Sequence, residues 1–85
     1  MKNIPPRRRA SKAIFALTMK VIRRRRIIPG ILGVRKDKQS VAVVFVTAFG
    51  NVRCPVTEDD KFVFIEVPGR KKAPCFYKAQ LRLAA

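Results

Sequence analysis

The amino-acid sequence predicts a small, mainly β domain whose antiparallel sheet curls toward a barrel, behind a basic N-terminal segment. Three observations predict it. Segments rich in β-branched and aromatic residues dominate after residue 40, short turn sequences separate them, and positive charge is concentrated before them. Short connections favour antiparallel neighbours, and strand twist curls such a sheet toward an OB- or SH3-like barrel. If residues 11–26 are helical, the class becomes α+β.

Three parts follow one another along the chain. Residues 1–12 are an extended basic arm, residues 13–30 an amphipathic Arg-rich segment, and residues 31–85 a small antiparallel β domain. Pro5 and Pro6 disfavour a helix in the arm, and three arginines follow them at once. An extended basic arm of this kind can follow a phosphate backbone.

Residues 11–26 allow two interpretations. In a helix, Ser11 is the N-cap, and Ile14, Leu17 and Val21 form an apolar stripe. The opposite side is then a narrow basic face made of Lys12, Ala16, Lys20 and Arg23. In a strand, odd and even positions form two mixed faces instead. The content of Ala, Leu, Met and Lys favours the helix.

The β segments begin with residues 31–36, where Gly33 suggests a bulge. Residues 40–49 are apolar on both faces, which predicts a central strand, and Gly50 and Asn51 are expected to form the tight turn after it. Pro55 donates no backbone hydrogen bond, so the segment around it suits a sheet edge or a strand end.

Two further strands complete the predicted sheet. A solvated polar turn at 57–60 precedes a strand at 61–67, whose Phe62 and Phe64 pack beneath the N-terminal helix or, alternatively, stack on bases. A type II turn is expected at 67–70. Residues 75–83 alternate as a strand. One face of that strand interleaves a ring, two cations and an amide: Phe76, Lys78, Gln80 and Arg82.

Positive charge is unevenly distributed. The formal net charge is +15; residues 1–38 hold thirteen Lys and Arg minus one Asp, or +12, and residues 39–85 hold seven minus four acids, or +3. A compact chain with this charge repels itself, so a polyanionic partner is expected. Nucleic acid is the first expectation and an anionic membrane surface the second.

Catalysis finds little support in the sequence. The chain has no histidine, and its one acidic cluster falls in an expected turn. We therefore expect no enzyme, no cofactor and no metal site. Cys54 and Cys75 are expected to be buried free thiols, with a disulfide as the alternative. The apolar run before Lys20 is too short for a membrane span.

The candidate nucleic-acid-binding residues are exposed cations and one ring on the second face of the last strand. They are Arg7, Arg8, Arg9, Lys20, Arg23, Arg24, Arg25, Arg26, Arg53, Arg70, Lys71, Lys72, Phe76, Lys78 and Arg82.

Two resemblances accompany these residues. A short, strand-rich chain ending in "FYKAQLRLAA" resembles the small single-stranded-DNA-binding proteins of filamentous phages, which implies an OB-type barrel with aromatic and basic residues. The heavy N-terminal charge departs from that family. In composition the N-terminal half is similar to small basic ribosomal proteins, whose tails thread through folded RNA.

Non-enzymatic binding of nucleic acid is the function that the sequence predicts, with single-stranded DNA or RNA favoured. The first alternative is a structural component of a ribonucleoprotein or virion particle, and the second is a membrane-surface binding protein. A homo-oligomer or a larger particle stays open. The expected location is intracellular or inside a virus particle, without secretion.

Overall fold

A computed structural model describes residues 7–24, 30–37 and 39–84 of the chain. Its elements, in chain order, are β1 (Arg8–Arg9), α1 (Lys12–Arg24), β2 (Ile31–Asp37), β3 (Ala42–Thr47), β4 (Gly50–Glu58), β5 (Phe62–Ile65), β6 (Cys75–Tyr77) and α2 (Lys78–Ala84). No helix in these ranges is long and apolar enough to cross a membrane.

The strands form one antiparallel sheet in the order β2-β3-β4-β5-β6, which curls into a half-barrel and confirms the predicted fold class. Strand β4 connects the two halves of this sheet. Its residues 50–55 pair with β3, and its residues 56–58 pair with β5. Strand β1 pairs with the other edge of β4 at Thr57 and Glu58. Pro55 lies where the partners change. Proline has no N–H to donate, but the N–H of the next residue, Val56, donates to the carbonyl of Val41 at 3.0 Å. The carbonyl of Pro55 accepts the N–H of Glu66 at 2.8 Å.

Helix α1 confirms the helical interpretation over Lys12–Arg24; Arg25 and Arg26 lie outside the described residues. Ser11 is the N-cap, because its Oγ accepts the N–H of Ile14 at 3.2 Å. The hydroxyl of buried Thr18 donates to the carbonyl of Ile14 at 2.8 Å. The apolar side of α1 is buried and carries Ile14, Phe15, Met19, Val21 and Ile22.

The hydrophobic core lies between α1 and the concave face of the sheet. The helix contributes the buried residues given above, and Ala10 precedes it in the same core. The sheet and α2 contribute Val43, Phe45, Cys54, Val56, Val63, Ile65 and Leu81. Residues 10–22 therefore share one core with the sheet, so this described part of the basic N-terminal half belongs to the folded domain.

One predicted bulge and one predicted turn are confirmed, and the turn expected at residues 50–51 is corrected. The register shifts between Ile31 and Gly33, which is the expected bulge. Arg70 donates to Val67 at 3.2 Å with Gly69 at φ 81°, which is type II geometry. The turn after β3, however, lies at residues 48–49, because Thr47 pairs with Gly50. Gly50 and Asn51 already belong to β4.

The hydroxyl of Thr47 stabilises that earlier turn. Its Oγ1 donates to the carbonyl of Gly50 at 2.7 Å and accepts the N–H of Phe49 at 3.2 Å. Gly50 has φ 121°, a conformation that favours glycine. Phe49 therefore lies at the tip of the hairpin, fully exposed at 102%, and not on a strand face.

The predicted strand at 75–83 is wrong beyond Tyr77, where α2 begins. Lys, Ala, Gln, Leu and Arg are strong helix formers, and this local preference prevails over the alternating pattern. In a strand, Leu81 and Leu83 would share one face. In α2, Leu81 is buried in the core at 1% exposure, whereas Leu83 is 88% exposed.

This difference in burial predicts a large loss of stability for truncation of Leu81 and a small one for the same truncation of Leu83. We expect Leu81→Ala to lower the free energy of unfolding by about 2–5 kcal/mol, because it removes a buried side chain. Leu83→Ala is the matched control and should change it by less than about 0.5 kcal/mol. Urea unfolding followed by circular dichroism measures both values. Equal losses in the two variants would restore the strand interpretation.

Candidate nucleic-acid interface

The convex, outer face of the sheet carries three aromatic rings. Along β5, Val63 and Ile65 point into the core, so Phe62 and Phe64 point to the opposite face. The expectation that these two rings pack beneath α1 is therefore wrong. Strand β6 opposes Phe62 with Tyr77, which places Tyr77 on the same outer face.

The three rings form a continuous patch. The ring centroids of Phe62 and Tyr77 are 4.5 Å apart, and those of Phe62 and Phe64 are 6.1 Å apart. Tyr77 is 53% exposed, and both Phe rings are partly exposed. Planar π-surfaces that reach solvent next to one another can accept further planar rings.

Two arginines of the N-terminal segment lie on the same face. The guanidinium carbon of Arg7 lies 3.7 Å from the ring centroid of Phe64, a cation–π contact. Arg9 opposes Thr57, which in turn opposes Phe64, so the register places Arg9 on the outer face as well. We call the surface made of Arg7, Arg9, Phe62, Phe64 and Tyr77 the outer platform.

A basic loop borders this platform. Arg70, Lys71 and Lys72 are exposed in the connection between β5 and β6. The connection ends at Cys75, which opposes Phe64 on the outer face. The hydrogen bond from the Ile65 N–H to the Pro74 carbonyl, 2.9 Å, closes the base of the loop. The loop that carries the three cations thus starts and ends next to Phe64.

Glu58 holds this arrangement together, and its position corrects the predicted solvated turn at 57–60. Thr57 and Glu58 belong to β4, and Glu58 is only 4% exposed. Its Oε1 accepts from Lys78 Nζ at 2.8 Å and from Arg8 Nη2 at 3.1 Å. Its Oε2 accepts the backbone N–H of Ser11 at 2.8 Å. One carboxylate therefore joins β1, the start of α1, β4 and the start of α2.

The charge of Glu58 is stabilised despite its burial. Burial raises the pKa of this carboxyl, but the hydrogen bonds from Lys78 and Ser11, with the positive charges of Lys78 and Arg8, outweigh it. The pKa of Glu58 therefore lies below its ordinary value of 4.5. The adjacent start of α1 adds a favourable dipole for a negative charge.

The other four acids are also engaged within the chain. Asp37 accepts from Ser40 and Arg53, and Asp59 accepts the N–H groups of Phe62 and Lys61; these hydrogen bonds lower the pKa of each aspartate. The remaining two acids form ion pairs: Glu66 with Arg7 at 2.7 Å, and Asp60 with Arg8 at 3.9 Å.

This use of the acids leaves many cations without an acidic partner in the described part of the chain. The exposed ones are Arg9, Lys12, Lys20, Arg23, Arg35, Lys36, Lys61, Arg70, Lys71, Lys72 and Arg82. Glu58 is buried, and Asp37, Asp60 and Glu66 are ion-paired, so unpaired positive charge predominates on the described surface.

The predicted site residues do not form one surface. Lys20, Arg23 and Arg24 are exposed on α1, and Arg82 is exposed on α2. Arg53 is partnered by Asp37 at 3.2 Å. The predicted face of Phe76, Lys78, Gln80 and Arg82 does not exist, since its last three residues lie in α2. Phe76 packs against the core, and Lys78 contacts Glu58.

The two cysteines differ. Cys54 is a buried free thiol, as expected, and burial raises its pKa. Cys75 is also free but exposed on the outer face of β6, which corrects the expectation that both thiols are buried. The side chain of Cys75 alternates with that of Phe76, which takes the core side of the strand.

Two further positions of the candidate site, Glu58 and Tyr77, have a signal in the sequence. The buried series Cys54 and Val56 has a period of two, and its next member is Glu58. The turn expected at 57–60 ends that series before Glu58, whereas β4 continues through Glu58. An alternating pattern over residues 75–83 puts Tyr77 on one face with Leu81, whereas β6 ends at Tyr77 and Leu81 lies in α2.

Comparison with protein-family models, curated proteins and solved structures gave no significant match. The resemblances to phage single-stranded-DNA-binding proteins and to ribosomal proteins thus stay predictions.

The buried carboxylate predicts a specific acid sensitivity. The pKa of Glu58 is lowered in the folded chain. The stability that the ionised carboxylate contributes is therefore present above pH 4.5 and is lost as the pH falls below that value. Near neutral pH we expect Glu58→Gln to lower the free energy of unfolding by about 1–3 kcal/mol. As the pH falls below about 4.5, the difference in the free energy of unfolding between this variant and the parent protein should shrink.

Asp60→Asn provides the control, because it removes the same charge from an exposed side chain. Asp37 and Asp59 leave a residual acid dependence in both variants. Urea unfolding at a series of pH values measures the curves. If Asp60→Asn and Glu58→Gln give the same curve, the buried carboxylate does not hold these segments together.

Proposed function

We propose that the protein is a non-enzymatic nucleic-acid-binding module that prefers unpaired strands. The observation that carries the proposal is the outer platform, in which partly exposed rings and arginines share one sheet face. Bases of an unpaired strand stack on such rings, and cations beside the rings contact the phosphates. The outer platform provides both at neighbouring positions.

A single strand suits the outer platform better than a duplex does. In a duplex the faces of each base are covered by its neighbours, so aromatic rings on a broad sheet find no free π-surface. An unpaired strand can present its bases to Phe62 and Tyr77 while its backbone passes the basic loop. The proposal therefore assigns preference for unpaired strands to the rings and general affinity to the cations.

The pairing of Arg7 with Glu66 is compatible with phosphate binding. Both side chains are solvent-exposed, at 45% and 36%, and such a pair contributes only about 0–1 kcal/mol. A phosphate can therefore replace Glu66 at little cost. Arg9 and the basic loop have no acidic partner among the described residues and need no exchange.

A second candidate function is that of a component of a larger nucleoprotein particle. Leu32 and Phe49 favour it, because they are exposed at 72% and 102% near the same end of the β2–β3 pair. A neighbouring molecule in a particle would cover them. The membrane-surface alternative is weaker, since the apolar side of α1 is buried in the core.

Truncating Tyr77 tests the proposal. We expect Tyr77→Ala to weaken binding to a labelled oligothymidylate by about 1–3 kcal/mol, or roughly 5- to 150-fold. Affinity for a duplex should change little, because the ring does not contact phosphates. Fluorescence anisotropy at several salt concentrations measures both affinities.

Two variants complete the experiment. Phe49→Ala removes a fully exposed ring outside the platform and should leave both affinities unchanged. Replacing Arg70, Lys71 and Lys72 by Gln should weaken both ligands and reduce the single-strand salt slope by about 2. The proposal fails if neither ligand binds the parent protein, or if Tyr77→Ala and Phe49→Ala behave alike.

A further inference from the structure

Helix α1 presents a second basic surface. Its exposed residues are Lys12, Ala13, Ala16, Lys20, Arg23 and Arg24, so this side contains only Lys, Arg and Ala. Lys12, Ala16, Lys20 and Arg23 follow one another at helical spacing and lie on one side; we call them the helix face. Its three cations extend over about 16 Å of the helix axis.

The helix face and the outer platform lie on opposite sides of the molecule. The buried side of α1 contacts the core, and the core contacts the concave face of the sheet through Val63 and Ile65. Phe62 and Phe64 alternate with these two residues and point away from the helix. One short strand segment therefore cannot lie on both surfaces without passing round an edge of the sheet.

The two surfaces also differ in chemistry. The outer platform has rings that can stack on unpaired bases. The helix face has no ring and no acid, and its one alanine, Ala16, leaves the cations unobstructed. Lys12, Lys20 and Arg23 form no ion pair with the described acids, so their charges remain available. Such a surface fits a phosphate backbone of any sequence, whether single- or double-stranded.

We propose that one chain binds two polynucleotide segments at the same time, an unpaired strand on the outer platform and a second phosphate backbone on the helix face. The protein then acts as a bridge that brings two segments together. This inference rests on the proposed function, because it needs the outer platform to bind nucleic acid. It goes beyond that function, since a one-sided binder with the same charge would not bridge.

The experiment uses oligothymidylates of about six nucleotides, long enough for one surface but not for both. Donor-labelled and acceptor-labelled oligonucleotides are mixed with the full chain at low salt, with oligonucleotide in excess to prevent precipitation. Energy transfer between the labels reports bridging. Sedimentation velocity gives the number of chains and oligonucleotides in the complex.

The parent protein should bind two oligonucleotides per chain and produce energy transfer. The variant Lys12→Gln/Lys20→Gln/Arg23→Gln should bind one, without transfer, and its remaining affinity should match that of the tighter site of the parent within a factor of about two. The control variant Arg35→Gln/Lys36→Gln/Arg82→Gln removes as many exposed cations from outside both surfaces. It should still bind two.

Several results would overturn the bridge. The first is that a parent chain binds only one oligonucleotide. The second is that the helix-face variant still binds two. The third is that the energy transfer comes from a dimer whose two chains each bind one oligonucleotide. A helix-face variant that keeps two oligonucleotides but loses binding to phosphatidylserine vesicles would assign this face to a membrane. If the parent chain binds no oligonucleotide at all, the proposed function itself fails, a result distinct from the loss of the second site alone.

Discussion

The structure depends on one buried carboxylate. Glu58 receives hydrogen bonds from Arg8 and Ser11, near the start of the chain, and from Lys78, near its end. Burying a charge is unfavourable unless its oxygens are satisfied, so these segments are held where they can donate. That constraint keeps β1 beside β4 and fixes where α1 and α2 begin. Since Arg7 and Arg9 flank Arg8, it also places both arginines of the outer platform.

The contacts of the acidic side chains also explain why unpaired positive charge predominates on the described surface. All five acidic side chains contact partners inside the chain, and the one that lies in the core joins the basic N-terminal half to the sheet. The folded chain thus keeps its large positive net charge, and the repulsion between Arg8 and its neighbouring cations is offset by the ion pairs of Arg8 with Glu58 and Asp60. The rings then distinguish one side of this cationic molecule from the other. Charge alone would attract any polyanion, whereas the proposed preference for unpaired strands depends on the rings beside the arginines.

Local signals in the sequence were sufficient for the elements that local chemistry determines. The Ser11 cap, the apolar period of α1, the bulge at Gly33 and the type II turn at Gly69 all follow from short-range rules. Alternation failed at residues 78–83, where an alternating pattern coincided with strong helix formers. The outer platform and the Glu58 cluster depend on strand register and on pairing across about 50 positions of the chain. The pattern of one sequence does not show which distant residues pair, so the partners of Phe62 and Glu58 could be identified only from the structure.

Tyr77 also offers the most direct test of the central claim, that unpaired bases stack on the outer platform. The chain contains one tyrosine and no tryptophan, so intrinsic tyrosine emission comes from the platform alone. Titration with an unlabelled oligothymidylate should quench this emission in step with binding measured by sedimentation. A duplex bound to the same extent should quench it much less. Saturable binding of the single strand with unchanged tyrosine emission would contradict the account.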